Sequence, residues 1–475
     1  MFVKQKMEKR GKQERRKERL NLVFMMLGVF VFRFLLDFSY PQVIYDEFFH
    51  YGFAYNPEQY KVILSYVAML VVLASFIPQV RLERPSSLLL LMVLIMAYVP
   101  NMSLFACMGL SYTFFIMSNL FWLSIAFFYN MRLTSRVRIH IPIHLVWEND
   151  IKFPAVGAFS ILYLVFFMVF AYSVYYNHGL SFTVDLSEAK DLRMSARGEL
   201  DSLSMYLLMW SGSIIFPIGI ILAVMRKKVV LLAFMLLGEI AAFSVNGTKT
   251  WLFTAVISLV AALFLKKNSR ISLLPWGFVL IVVLCIFLGM NDDIGRFFGN
   301  YFIRRVFFST SLNNYYWIDF FETHDKTFLT NGILGWLRNF IQVPYDTNIA
   351  MLIGGLYYDD PLSNASSGTI ANAYSNFGWS GLPICAFITV VLAELMDVTS
   401  TRSYRPVPLI CFFPIIISSS EYLVNGSIFS TAITYGYIPG LILIRYMSHQ
   451  GVFCNNDTDV TPLRQRRKIE GAEQV

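Results

Sequence analysis

The sequence predicts an all-α fold, a polytopic integral membrane protein of about 12 transmembrane helices with one long outward-facing loop between the ninth and tenth. Three observations predict it. Of 475 residues, 56% are hydrophobic and 15% charged, a balance that excludes an ordinary soluble enzyme. The apolar residues come in runs of roughly 17–25, the length that crosses a bilayer as a helix. Basic residues gather in short connections that all fall on one side once the N-terminus is placed in the cytosol, as the positive-inside rule requires.

Taken in order, residues 1–20 form a basic cytosolic tail whose KQKMEKRGKQERRKER run, Lys4 to Arg19, has no apolar face and no cleavage site. It is read as an orientation signal and not a secretory peptide. A transmembrane domain follows over 21–446, and 447–475 is a second cytosolic tail. The expected spans are 21–38, 61–79, 86–100, 105–130, 154–176, 203–225, 229–245, 250–265, 272–290, 376–397, 406–424 and 428–446. Cytosolic connections then carry Arg81 and Arg84, the basic stretch from Arg132 to Lys152, Arg226-Lys227-Lys228, Lys266-Lys267-Arg270, and Arg402 with Arg405. Because the basic residues concentrate in tails and connections, the net charge of +8 points to membrane orientation and lipid headgroups and not to nucleic acid. The five cysteines have no paired spacing, which predicts neither a disulfide framework nor a metal site.

The outward side holds the segment from Ser39 to Tyr60, a second from His178 to Ser202, the tight Asn246–Thr250 connection, and the long loop 291–375. The aromatic-rich first segment reads as an interfacial belt or as a stacking surface for sugar rings. Positive charge is depleted outside, so outward cations are the candidates for anion binding: Lys61, Lys190, Arg193, Arg197, Lys249, Arg296, Arg304, Arg305, Lys326 and Arg338. An arginine offers a planar fork of donors matched to phosphate. Several converging near the membrane surface suit a diphosphate headgroup. Lys249, at the tip of a hairpin of barely sufficient length, is expected to be recessed in the protein.

Among outward acids and bases, Asp319 lies in an aromatic run with Tyr315 and Tyr316, where poor solvation favours proton acceptance. It is also positioned in sequence to pair with Arg304 or Arg305. Glu322, Asp325, Asp359, Asp360, His324 and Glu421 are further candidates, the last because ionisable groups in or near spans are functional suspects. Asn372, Tyr374 and Asn376 would orient a sugar or cap the next helix. Arg33 is expected to snorkel and Glu239 to partner Lys249. No HExxH, GxSxG, Walker loop or paired CxxC motif is present and no DxD falls in the outward segments, which disfavours both a metal and a soluble nucleotide-activated donor.

Three motifs occur in order: NGTKTWLF from Asn246, IRRVFF from Ile303 followed by YYWIDFF from Tyr315, and SGTIANAYSNFGWSG from Ser367 to Gly381. In this the chain resembles the bacterial oligosaccharide repeat-unit polymerases, the Wzy-type O-antigen and capsule polymerases. It departs from them at Ser309-Thr310, where they often carry a proline. The resemblance covers about 130 residues by motif and implies a cofactor-independent glycosyl transfer on the outer face of the bacterial cytoplasmic membrane. It implies undecaprenyl-diphosphate-linked oligosaccharide as donor and acceptor, with inversion at the anomeric carbon. A chain-length regulator and a flippase are the partners it suggests. Under this reading Asp319, Arg304 and Arg305 are catalytic, and Lys249, Arg193, Arg197 and Arg296 hold the diphosphate. Tyr315, Tyr316, His324, Asn372, Tyr374, Asn376 and Glu421 contact sugar. A lipid-to-acceptor ligase of related architecture and a polysaccharide transporter are the competing classes.

Overall fold

The computed structural model of the protein describes residues 2–80, 84–131, 157, 159–180, 182, 189–264, 271–289, 293–332, 334–335, 339–361, 363–403 and 407–453. The side chains of residues 2–19 lie outside this description, as do the expected cytosolic connection at 132–152 and the tail beyond 453. The described residues contain helices and no strands. Eight helices are long and apolar enough to cross a membrane: Leu20–Tyr51, Gln59–Gln79, Pro85–Met108, Tyr112–Met131, Ser202–Met225, Val229–Asn246, Thr369–Thr401 and Ile428–His449. Four further expected spans form shorter apolar helices, Ser160–Tyr176, Lys249–Leu263, Leu274–Leu288 and Leu409–Asn425. At 1.5 Å per residue, each covers less than the roughly 30 Å of hydrocarbon.

Proline shapes several of these helices without ending them. The missing N–H of Pro41 falls within a wide, π-type stretch over Tyr40–Tyr45, and the Leu94–Tyr98 and Ser211–Ile215 wide turns each end two residues before a proline, Pro100 and Pro217. Local widening absorbs the lost hydrogen bond and the ring clash. For this reason the span expected to stop at residue 100 runs on to Met108. Likewise the first helix continues past residue 38 and stops only at Gly52, whose φ of 89° is strained for any other residue.

The Pro85–Met108 helix is the axis of the bundle. Its side chains are buried nearly throughout, against 59–76, 20–39, 381–402 and 409–425. Outer helices keep one apolar face exposed, as with Leu280, Leu284 and Phe287, which is the pattern of a surface solvated by lipid.

The polar interior is more elaborate than expected. Arg33 does not snorkel: it is 0% exposed, and its Nε donates to both carboxylate oxygens of Asp37 at 2.9 and 3.0 Å. One Nη donates to Ser65 at 3.1 Å. Asp37 also accepts from Tyr66 at 2.9 Å and from Ser103 at 2.5 Å. A charge this deep persists when it is paired and its remaining lone pairs are satisfied, and here three helices supply the partners.

The expected long loop is largely helical. Asp293–Phe298, Gly299–Phe308 and Ser309–Thr323 run on without a break, and Phe307, Phe308, Leu312, Trp317 and Phe321 are buried in the bundle. Asn313, Asn314, Tyr316 and Trp317 interrupt the apolar run of this helix. Their polar atoms are satisfied from distant chain: Asn314 Oδ1 accepts from Gly368 N–H at 2.7 Å, and Trp317 Nε1 donates to Ala365 O at 2.7 Å. A Cβ at Gly368 would overlap the Val424 carbonyl and stand 2.9 Å from Asn314 Oδ1, so glycine is what allows three segments to meet there.

Candidate functional site

The Gly299–Phe308 turn is a ten-residue π-type stretch with no proline to account for it, a distortion that recurs at functional sites. It carries Tyr301, Arg304 and Arg305. Arg304 is 6% exposed; its Nε donates to Asn300 at 2.7 Å. Its guanidinium lies 4.1 Å from the ring centre of Tyr51 and 5.0 Å from that of Phe48. The segment at 39–60 therefore supplies cation–π partners to an arginine, and is more than an interfacial belt.

Tyr301 gathers the cations. Lys249 Nζ donates to its hydroxyl at 2.9 Å and stands 4.7 Å from its ring centre, and Arg305 lies 5.1 Å from the same centre. The hydrogen bond from Lys249 holds the Tyr301 phenol below its usual range, helped by the charges of Lys249, Arg305 and Arg304 and opposed by burial. Burial, then the adjacent Arg305, press Arg304 below the usual arginine value; the guanidinium stays charged at neutral pH. Among the described residues no carboxylate forms an ion pair with Lys249, Arg304 or Arg305, and neither Nη of Arg304 hydrogen-bonds to protein. Lys249 and Arg305 thus share one neutral ring, with Arg304 near enough to act on its phenol electrostatically, and cations grouped in this way suit a phosphate-like anion.

The hairpin that carries Lys249 links this cluster to Glu421. Thr250 Oγ1 donates to Glu421 Oε1 at 2.8 Å, while Oε2 is shielded from solvent without a hydrogen-bond partner. Arg193 donates to Gly247 O at 3.1 Å and acts electrostatically on Glu421. Asn425, one turn beyond Glu421, lines a cavity of about 660 Å³ between the 309–323, 369–377 and 421–435 regions. That volume suits a small organic ligand. Its described wall combines asparagine, serine and threonine with Leu329, Ile349 and Ile433 and the aromatics Trp317, Tyr206, Phe429 and Tyr435, and among the described residues no charged side chain lines it.

Other expected site residues fall differently. Asp319 is exposed and accepts from the Tyr357 hydroxyl at 2.6 Å. It pairs with neither arginine, and it stands four helical turns beyond Arg304, about 20 Å at helical rise. The aromatic enclosure expected for it surrounds its neighbours instead. Tyr316 stacks on Tyr357 with centres 4.4 Å apart and meets Tyr358 edge-on at 5.5 Å, and burial pushes its phenol up to about 12. Tyr315 packs edge-on against Phe114. His324 stacks on Phe320 at 3.9 Å, its Nδ1 2.7 Å from the Phe320 carbonyl oxygen, a helix-terminal role. Arg296 is exposed two turns before Arg304, and the side chain of Arg197 lies outside the described residues.

Asn372, Tyr374 and Asn376 do not cap a helix; the helix begins at Thr369 with all three inside it. Asn376 Oδ1 accepts from Thr327 Oγ1 at 2.6 Å and Leu329 N–H at 2.7 Å, pinning the 327–329 turn. Asn372 lines the cavity, and Tyr374 lies under Lys326 at 4.3 Å. Glu239 does not reach Lys249: both its oxygens are buried without a hydrogen-bond partner. Sequence reasoning passed over Tyr301, although it stands one turn before Arg304 in the same motif. It also passed over the cavity residues Asn331, Asn348 and Asn425, which only the fold brings together.

Among the described residues the fold is that of an all-helical membrane protein, and it holds a cluster of cations and a polar cavity whose lining carries no charged side chain. Comparison with protein-family models, with curated proteins and with solved structures finds no match.

Proposed function

We propose that the chain is a membrane glycosyltransferase that polymerises undecaprenyl-diphosphate-linked oligosaccharide units into a surface polysaccharide, on the outer face of the bacterial cytoplasmic membrane. The observation that carries the reading is the grouping of Lys249 and Arg305 on Tyr301, with Arg304 acting electrostatically on the same phenol, and no carboxylate paired with any of the three among the described residues. In the reaction the acceptor sugar's hydroxyl oxygen forms a bond to the anomeric carbon of the donor. The bond from that carbon to the diphosphate oxygen breaks, and undecaprenyl diphosphate leaves with the electron pair. Negative charge builds on the departing oxygen, and preplaced cations stabilise it in the transition state more than in the ground state.

The acceptor's proton needs a base, and Glu421 is the carboxylate that the geometry favours. Its Oε1 is anchored by Thr250, next to Lys249, its Oε2 has no partner, and Asn425 on the same helix lines the cavity. Asp319 points to solvent at the far end of the tyrosine stack. Glu421→Gln is expected to lower the rate by about 10²-fold, the lower range for a lost general base, and Asp319→Asn by less than about threefold. Equal losses in both, read as initial polymerisation rates, would remove Glu421 from this role.

The reading itself is tested by reconstituting the purified protein in liposomes with undecaprenyl-diphosphate-linked single repeat units. Products spaced by one repeat unit should appear over time. Units that stay single, or that move once to a different acceptor without further growth, would overturn polymerisation.

A further inference from the structure

We infer that the cavity lined by Trp317, Asn364, Asn372, Asn425 and Thr434 is a glycan-binding site selective for uncharged sugars. The inference rests on the reading above for the ligand class, and on the cavity wall for the selectivity. Among the described residues that line it there is no Asp, Glu, Lys, Arg or His.

Amide and hydroxyl side chains both donate and accept, and so match the mixed donor-acceptor character of sugar hydroxyls and N-acetyl groups. An aromatic face such as that of Trp317 or Tyr435 covers the apolar side of a sugar ring. A uronate or sialate carboxylate entering the same space would lose its water without meeting a cation among the described lining residues, and burying an unpaired charge in this way is strongly unfavourable.

The wall is divided between groups that hold the cavity open and groups that face it unspent. Asn376 ties down the 327–329 turn, Asn348 caps the Ile349–Tyr358 helix, and Trp317 Nε1 is bonded to Ala365. The side chains of Asn364, Ser366, Ser367 and Thr434 line the same space, and among the described residues they hydrogen-bond to no protein group. None of the four is a shielded, unpaired polar atom in the sense that Glu421 Oε2 is, so each is open to whatever fills the cavity. A site with a rigid half and an available half is the arrangement that binds without reorganising.

The experiment uses the full-length protein in lipid nanodiscs and a glycan array carrying oligosaccharides of neutral hexoses, N-acetylhexosamines and deoxysugars beside uronate-containing counterparts. Wild type should retain neutral glycans at least tenfold more strongly than uronate-containing ones. Asn364→Asp and Thr434→Asp, on two separate segments and with no bond to lose, should each weaken neutral-glycan binding at least tenfold while melting as wild type does. Preference for the uronate set, no retention of any neutral glycan, or retention unchanged in both variants would overturn the inference. A protein that binds neutral glycans through this wall yet never extends a repeat unit would keep the site and lose the polymerase reading.

Discussion

Arg304→Lys is expected to reduce polymer synthesis by about 10²–10³-fold, the loss that follows removal of one preorganised donor from a developing anion. Lysine keeps the charge and the stem, so a role in simple attraction to lipid phosphate would be spared. What it loses is the fork: Nε is committed to Asn300 at 2.7 Å while the two Nη groups remain for the ligand. A single ammonium cannot serve both. The plane that lies against Tyr51 and Phe48 is lost as well. The check is a comparison of single-unit lipid and polymer in the reconstituted system, with melting temperature measured alongside. A variant that melts normally and makes full-length polymer at the wild-type rate would remove Arg304 from the chemistry.

Asp37→Ala is expected to cost about 3–5 kcal/mol of stability, because it leaves a guanidinium buried without its counter-ion. Asp37 answers Arg33, Tyr66 and Ser103 together, and one Arg33 Nη is already without a partner. Removing both charges in the pair Arg33→Met and Asp37→Leu should restore most of the loss, since breaking such a pair costs far more than replacing it with apolar side chains of similar size. Thermal unfolding of the purified protein measures both. Identical melting of Asp37→Ala and wild type would show that the network bears no weight.

The class of fold was legible because it depends on composition and on the length of apolar runs, properties that survive without knowledge of contacts. What hid the helix at 293–323 was its chemistry. Asn314 and Trp317 look misplaced in a membrane domain until Gly368 and Ala365 arrive to satisfy them, and no local pattern announces those partners. The cations at 249, 304 and 305 were legible from their scarcity on the outward side and from the motif order. Asp319 misled because an aromatic sequence neighbourhood does not say which face of a helix a carboxylate occupies. Its neighbours are enclosed and it is not. Arg33 and Asp37 are spaced four apart, and that spacing was visible; the snorkelling expectation put weight on position near a span end instead of on the acid one turn away.

The wide turn over Gly299–Phe308 also makes this stretch intolerant of insertion or deletion. Extra residues per turn are what set the azimuth of everything that follows, and each residue of helix advances it by about 100°. Deleting a single residue there would swing Trp317 off Ala365 and Tyr316 off Tyr357, scrambling the cavity wall without touching it. Length variation in homologous chains should therefore collect in the connection after Thr323 and spare the ten residues before Ser309.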